Sequence, residues 1–250
     1  MKLVTLLLCV AMLSACNSTK NSESEAAKQA ATAKPAAMKH DPAHPPIDCP
    51  LRKQGIDPTK LKPFEQMEAY INFLDQESRK AWQKPEEVVA ALQLKGHERV
   101  LDLGAGSGYF SFPIAEKLPL GRLFAADVEP EMVRHIHHKA MAQGAKNIEV
   151  LLIDSEKPQI PENIDIVFIC DVLHHVKSPT EWLSGISAQL PPGAKMHIIE
   201  FKPGDLPNGP PESVKMAPEK LVEIAQNSGF KLEKRLDELL PYQNYCVFSK

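Results

Sequence analysis

Several things are missing from this chain, and each absence excludes something. There is no basic excess: 29 Lys and Arg stand against 32 Asp and Glu, a formal net charge of -3. Such a balance offers no positive field to a phosphate backbone, so nucleic acid is not an expected partner. The apolar run over 3–13, after Lys2, is too short to span a bilayer as a stable helix, but it has the length of a signal-peptide core. Aromatic residues are absent from 17–46, where Ser, Ala, Lys, Glu and Pro dominate. A segment of that kind cannot bury enough apolar surface to offset its ordering entropy, so it is expected to be a tether. His40 and His44, in its proline-rich end, then belong to a solvated linker rather than a metal site. No internal repeat is present.

What remains is ordinary globular material: 43% hydrophobic and 24% charged over 250 residues, enough for one substantial core plus extensions. Its most informative run is Val100-Leu101-Asp102-Leu103-Gly104-Ala105-Gly106-Ser107-Gly108-Tyr109-Phe110, a short apolar strand that empties into a glycine-rich turn and then opens a helix. The glycines permit positive φ and close approach of a ligand to the backbone. In an open α/β sheet such a turn lies at the carboxyl edge, where ligands bind.

Upstream, Phe64, Met67, Ile71 and Leu74 recur at spacings of three and four, which predicts a helix with one apolar face. A second helix is expected from Pro85 through Val88, Val89 and Leu92, ending before Gly96. Two placements suit this pair, a cap over the site or packing on the back of the sheet. Between them, Ser78-Arg79-Lys80-Ala81-Trp82 adds a cation and a large aromatic near the entrance.

Downstream, the pattern predicts a helix over 108–117, a strand over 123–126 ending in Asp127, and a helix over 130–144. Strands follow over 148–153 and 164–170, ending in Asp154 and Asp171, then a helix over 179–190 and a strand over 195–201 carrying Glu200. The Pro- and Gly-dense stretch 203–218 has the length of a functional lid. A helix over 218–228 and strands over 230–236 and 245–248 complete the chain. Strands alternating with helices imply a doubly wound α/β architecture, a parallel sheet with right-handed crossovers.

Asp102, Asp127, Asp154 and Asp171 each fall at or near the carboxyl end of a successive strand, so they gather on one edge of the sheet. Asp127 lies 19 residues after Gly108, where a carboxylate reaches ribose hydroxyls and accepts two hydrogen bonds from the diol. Any one of these acids could instead cap a helix. A dinucleotide fits poorly. The G-x-G-x-x-G fingerprint requires glycine at its sixth position, where Tyr109 stands, and Asp102 would repel a pyrophosphate. That weakens a nicotinamide oxidoreductase.

Together these residues resemble the class I S-adenosylmethionine-dependent methyltransferases. Asp102-Leu103-Gly104-Ala105-Gly106-Ser107-Gly108 is similar to their first motif, and Asp127-Val128-Glu129-Pro130-Glu131-Met132 to the ribose-binding strand end with its following helix. Asp154-Ser155 matches the adenine-contacting position. Asp165-Ile166-Val167 with Asp171-Val172-Leu173-His174-His175 resembles the fourth-strand motif, and Pro192-Gly193 fits before the fifth strand. The resemblance spans roughly 85–250. It implies a seven-stranded, mostly parallel, Rossmann-like sheet with an antiparallel last strand. It also implies S-adenosyl-L-methionine as cofactor, its methionine part over residues 104–106. The cofactor contacts it implies come from Asp102, Gly104, Ala105, Gly106, Tyr109, Asp127, Val128, Asp154, Ser155 and Asp171.

Methyl transfer from a sulfonium is an in-line displacement that depends on positioning and desolvation, with a base needed only if the acceptor must lose a proton. His174, His175 and Glu200 are the candidates, since adjacent strand ends bring them together; for each the alternative is a structural role. Asp171, His174 and Glu200 are suitable metal-ligand types without a motif spacing, and no metal is expected. His135, His137 and His138 are expected on an exposed polar helix face. Trp82, Tyr109, Tyr242 and Tyr245 suit either an acceptor pocket or the core.

At the amino end, Leu13-Ser14-Ala15-Cys16 resembles the lipobox of bacterial lipoprotein signal peptides, which implies that Cys16 is the lipidated first residue of the mature chain. Asn17 is not the aspartate of the inner-membrane retention signal of enteric bacteria, which favours the outer membrane. With Cys9 removed and Cys16 acylated, Cys49, Cys170 and Cys246 remain. Cys170 suits an inert core thiol, and Cys49 with Cys246 is the pair available for a disulfide. The expected organisation is a signal peptide over 1–15, a lipidated tether over 16–46 and one domain over 47–250. Within the domain, helices occupy 63–95, the cofactor-binding core 96–202, and the lid loop with the last strands 203–250. The expected protein is a methyltransferase for a small-molecule acceptor, anchored through Cys16 in the cell envelope and facing the periplasm. The alternative is a lipid-anchored binding module without turnover, whose mark would be eroded cofactor residues; Asp102, Gly104, Gly106, Asp127 and Asp154 stand intact.

Overall fold

The computed structural model describes residues 64–250. The leader, Cys16, the tether and Cys49 lie outside the described residues. The described chain begins with helix α1 (Phe64–Leu74), a 3-10 turn (Glu77–Arg79), the short helix α2 (Lys80–Gln83) and helix α3 (Pro85–Ala91). Strand β1 (Arg99–Leu103), helix α4 (Ser111–Glu116), β2 (Arg122–Asp127), α5 (Pro130–Gln143) and β3 (Ile148–Leu152) form the first half of the sheet domain. The second half is β4 (Ile166–Cys170), α6 (Pro179–Gln189), β5 (Lys195–Phe201), α7 (Pro218–Asn227), β6 (Lys231–Arg235) and β7 (Gln243–Ser249). Proline opens α3, α5, α6 and α7 at the first turn, where its missing N–H costs nothing.

Seven strands make one sheet in the order β3-β2-β1-β4-β5-β7-β6, with β7 antiparallel to both neighbours and the other pairings parallel. Strand residues alternate between two cores, as a period of two requires. Leu101, Leu103, Val167, Ile169 and Ile198 meet α6 and α7 on one face. Val100, Ile166, Phe168 and Tyr245 meet α3 and α4 on the other, while α5 packs Val133, Ile136 and Ala140 over Ala125 and Val150. Both faces being covered, the parallel strands are mainly apolar, β4 wholly so. Charged residues such as Arg99, Arg122 and Lys195 stand at strand starts, and Asp102, Asp127 and Glu200 at or near the carboxyl ends. β1 pairs with both β2 and β4, so the strand order reverses there, and a crevice opens outside the carboxyl ends.

Two local expectations change. The helix after the glycine turn starts at Ser111 rather than near 108, because Gly104, Gly106 and Gly108 all hold positive φ. The 203–218 stretch contains only a 3-10 turn (Glu212–Val214). Cys246 is a free, buried thiol in β7.

Candidate functional site

The crevice is a cleft of about 730 Å³. Its floor is the glycine turn. At Gly104 φ is +84°, and a Cβ there would lie 2.3 Å from Val172 Cγ2, so only glycine fits between β1 and the segment after β4. The amides of Gly104 and Ala105 both donate to the Ala126 carbonyl, at 2.8 and 3.0 Å, which ties the turn to β2. Asp127, at the end of β2, completes the fastening: Gly106 N donates to Oδ2 at 2.8 Å and Glu129 N to Oδ1 at 2.9 Å. Each carboxylate oxygen keeps acceptor capacity toward the cleft. Burial raises the Asp127 pKa, against the pull of those backbone donors. Beneath the turn, Asp102 accepts from Ser111 Oγ at 2.5 Å, and burial pushes its pKa up to about 7.

One side wall is apolar, with Val128, Met132, Ile153, Val176 and Trp182. Trp182 Nε1 donates to the Ser155 carbonyl at 3.0 Å and so holds the loop after β3 against this slot. Ser155 lines the cleft, but Asp154 does not: its Oδ1 accepts from Glu156 N and Lys157 N at 2.9 and 2.7 Å, which lowers its pKa. Asp154 therefore caps a turn, and its neighbours Ser155 and Glu156 face the space expected of it.

The opposite wall comes from β4 and the cap. Asp171, at φ +59°, accepts from Gln243 Nε2 at 2.8 Å on both oxygens and from Gln83 Nε2 at 3.1 Å. Burial, with the nearby Glu200 charge, raises its pKa. Cys170 lines the cleft as well, and burial drives its pKa so high that it stays a neutral thiol. The two placements weighed for the amino-terminal helices are both realised. Met67, Tyr70 and Leu74 of α1 roof the cleft, whereas Val88 and Val89 of α3 and the following Leu92 pack on the back against Ile114 and Leu118.

The proposed acid–base trio is divided. Glu200 is buried and does not line the cleft; its Oε1 accepts from Val172 N and Leu173 N at 2.9 and 2.6 Å, and its Oε2 lies 2.8 Å from His174 Nδ1. Burial works against the His174 cation, but the Glu200 hydrogen bond and charge prevail and raise its pKa. Both are committed to holding the segment after β4, which is why neither reaches the cleft. His175 does reach it, its ring centroid 4.0 Å from that of His174 and tilted by 44°, and burial together with the His174 charge lowers its pKa.

Three further expectations move. No residue of 203–218 lines the cleft, so α1 rather than that loop covers it among the described residues. His135, His137 and His138 are half-buried along α5, not exposed. Trp82 packs on Phe201 and Tyr242, at 5.6 and 5.9 Å, and Tyr245 is core; of the four aromatics only Tyr109 lines the cleft. Reasoning from spacing missed Gln83 and Gln243, which are fully buried amides from distant segments with no motif around them. Arg79 stood in the sequence only as a cation near the entrance.

Residues 101–196 match the family model described as a methyltransferase domain. A crystal structure of an S-adenosylmethionine-dependent methyltransferase from Aquifex aeolicus superposes with a TM-score of 0.68 at 27% identity, over 72% of this chain and 96% of that one. The fold is that of the class I methyltransferases. Among curated proteins, the chain is 30% identical over 130 residues to aklanonic acid methyltransferase of Streptomyces sp. strain C5, covering 50% of this chain and 59% of that one. It is 31% identical over 163 residues to a tRNA U34 carboxymethyltransferase of Pseudomonas savastanoi pv. phaseolicola, covering 62% and 48%. The chain thus spans about half the length of the curated relatives it matches. The methyltransferase-fold cleft fits S-adenosylmethionine on its own geometry: a carboxylate placed for a ribose diol, an apolar slot for a flat base, and a turn without side chains for an amino-acid tail.

Proposed function

We propose that this protein is an S-adenosylmethionine-dependent methyltransferase for a small-molecule acceptor, anchored through a lipidated Cys16 to a membrane of the cell envelope and facing the periplasm. The observation that carries the enzymatic reading is Asp127, whose two oxygens are fixed by Gly106 and Glu129 amides at the rim of the glycine turn. When bound, the cofactor supplies an electrophilic methyl on a sulfonium. The chain's own work is to hold and to desolvate: Asp127 orients the ribose, the 104–106 turn admits the amino-acid tail, and the α1 roof excludes water. His175, whose pKa is lowered by burial and by the nearby His174 charge, is placed to accept a proton from an acceptor that must lose one.

An acceptor of small size agrees with the -3 net charge and with the acidic lining, both unfavourable to a polyanion. The relatives divide on this point, one being named for aklanonic acid and one for tRNA. The anchor rests on the Leu13-Ser14-Ala15-Cys16 run. That same run favours a second reading, a lipid-anchored module that binds a nucleoside without turnover, because S-adenosylmethionine is a cytosolic metabolite.

Calorimetric titration of the full chain with S-adenosylhomocysteine tests the cofactor, and the absence of heat on folded protein refutes it. Asp127→Ala is expected to weaken that binding by about 100-fold, because it removes an acceptor of charged hydrogen bonds. Unchanged affinity removes the ribose role. Fatty-acid labelling in a bacterial host should disappear in Cys16→Ser, and persistent label rejects the anchor.

A further inference from the structure

The roof of the cleft has an outer side as well as an inner one. Helix α1 turns Ile71 into the core and Met67 and Leu74 toward the cleft. Beside them runs a second stripe, Tyr70 and Phe73, three residues apart, with ring centroids at 6.5 Å and planes within 12° of each other. Phe73 is 60% exposed and Tyr70 50%, although Tyr70 also lines the cleft. Val128, 44% exposed, lines the same mouth from just after β2. Of the large hydrophobic residues exposed among the described residues, half therefore gather at one opening. Grouped apolar side chains of this kind mark a surface that meets a partner.

This face is held in place. Asp75, just past the end of α1, pairs with Lys139 of α5 at 3.2 Å and accepts from Ser107 Oγ on the glycine turn. Burial and the Asp127 charge raise the Tyr70 pKa against the pull of Arg79, so the phenol stays neutral. An aromatic ring with one polar tip suits a membrane–water boundary. The exposed charges around the mouth are mostly acidic, Glu68, Glu129 and Glu156 against Lys177, which favours neutral headgroups over anionic ones. Connectivity supplies the remaining constraint: the chain that leaves Cys16 enters the described fold at Phe64, the first residue of α1. Two exposed rings give only a weak contact by themselves. Anchoring the same chain makes that contact intramolecular, which raises its effective concentration far above what free protein meets.

We propose that the face of α1 carrying Tyr70 and Phe73 rests on the bilayer that holds Cys16, a surface of neutral phospholipid headgroups, so that the cleft mouth opens at the lipid interface. The inference rests on the lipid-anchor reading above. It gives the roof two sides with different work: the inner one closes the cleft and the outer one orients the domain. The opposite edge of the sheet, where Leu120 precedes β2 and is 86% exposed, then faces away from the bilayer.

The test uses the full chain, purified with its acyl group and reconstituted into vesicles of phosphatidylethanolamine and phosphatidylcholine, the latter with or without brominated acyl chains. Bromine quenches a tryptophan only where the ring enters the lipid. Beyond the wild-type signal of Trp82 and Trp182, Phe73→Trp should add fluorescence that the brominated vesicles quench, whereas the fluorescence added by Leu120→Trp should be unaffected. Hydrogen exchange across 64–74 should be slower by about 10-fold on the plain vesicles than in Cys16→Ser protein free in solution, and Phe73→Ser should abolish most of that difference. Quenching at neither position or at both, or exchange that the vesicles leave unchanged, overturns the docked face while the acylated Cys16 keeps the anchor standing. Dimerisation of the Cys16→Ser protein that Phe73→Ser abolishes also overturns it, because the face then belongs to a second copy. Absence of acyl label from Cys16 removes the anchor and the docking together.

Discussion

The two walls of the cleft are built by different means. On the β1–β2 side, the contacts that shape the site run between backbone and one nearby carboxylate: Gly104 and Ala105 amides to the Ala126 carbonyl, Gly106 and Glu129 amides to Asp127. On the β4 side, side chains from four separate segments share the task, with Gln83 and Gln243 on Asp171, and Glu200 on His174 and two amides. The first wall depends on conformations that glycine and a strand-end acid adopt locally. The second depends on tertiary assembly, and its buried charges are costly wherever a partner is removed.

Three perturbations would break or sharpen that contrast. The largest effect is expected from Glu200→Ala, which strands the His174 ring and two buried amides: about 3 kcal/mol of lost stability by chemical denaturation. S-adenosylhomocysteine affinity of the protein that remains folded should change by less than about threefold, since Glu200 lies outside the cleft. An affinity loss as large as the stability loss would show that the walls are one unit. A smaller effect is expected from pH. Asp102 has a folded pKa of about 7, above its ordinary value of 3.8, so the folded state binds the extra proton between those values. Its contribution to stability is therefore greatest at the acid end of that window and declines as pH rises toward 7. Asp102→Asn should remove that decline, on the order of 2 kcal/mol between pH 5 and 8, and identical melting profiles for the two proteins would contradict it. The smallest effect is expected from Asp154→Ala: a turn cap at the surface, about 1 kcal/mol or less, with S-adenosylhomocysteine affinity unchanged. A marked loss of affinity would return Asp154 to the adenine contact.

The two walls also differ in how far they could be read in advance. The glycine turn and Asp127 were legible because strand, turn and acid are contiguous or at a set spacing, and only a few backbone conformations serve them. Asp154 misled for the same reason: a strand-end acid has two local uses, and its neighbouring amides settled on the cap. Gln83 and Gln243 carried no signal, since an amide in a helix or a strand has no spacing that announces a partner 88 or 72 residues away. Glu200 and His174 do lie side by side, but their exclusion from the cleft follows from the Val172 and Leu173 amides that Glu200 also binds, which no spacing in the sequence announces.

By itself the sequence determined the alternation of strands and helices, the sheet edge at which the acids gather and the turn around which a ligand is held, because these follow from residue periodicity and from where glycine alone can go. Only the tertiary structure decided that α1 roofs the cleft while α3 packs behind the sheet, that His175 faces the cleft while His174 and Glu200 face each other, and that Arg79 lines the cleft against the Tyr109 ring. Those outcomes depend on contacts between segments far apart in the chain, where the competition is among surfaces rather than among local conformations.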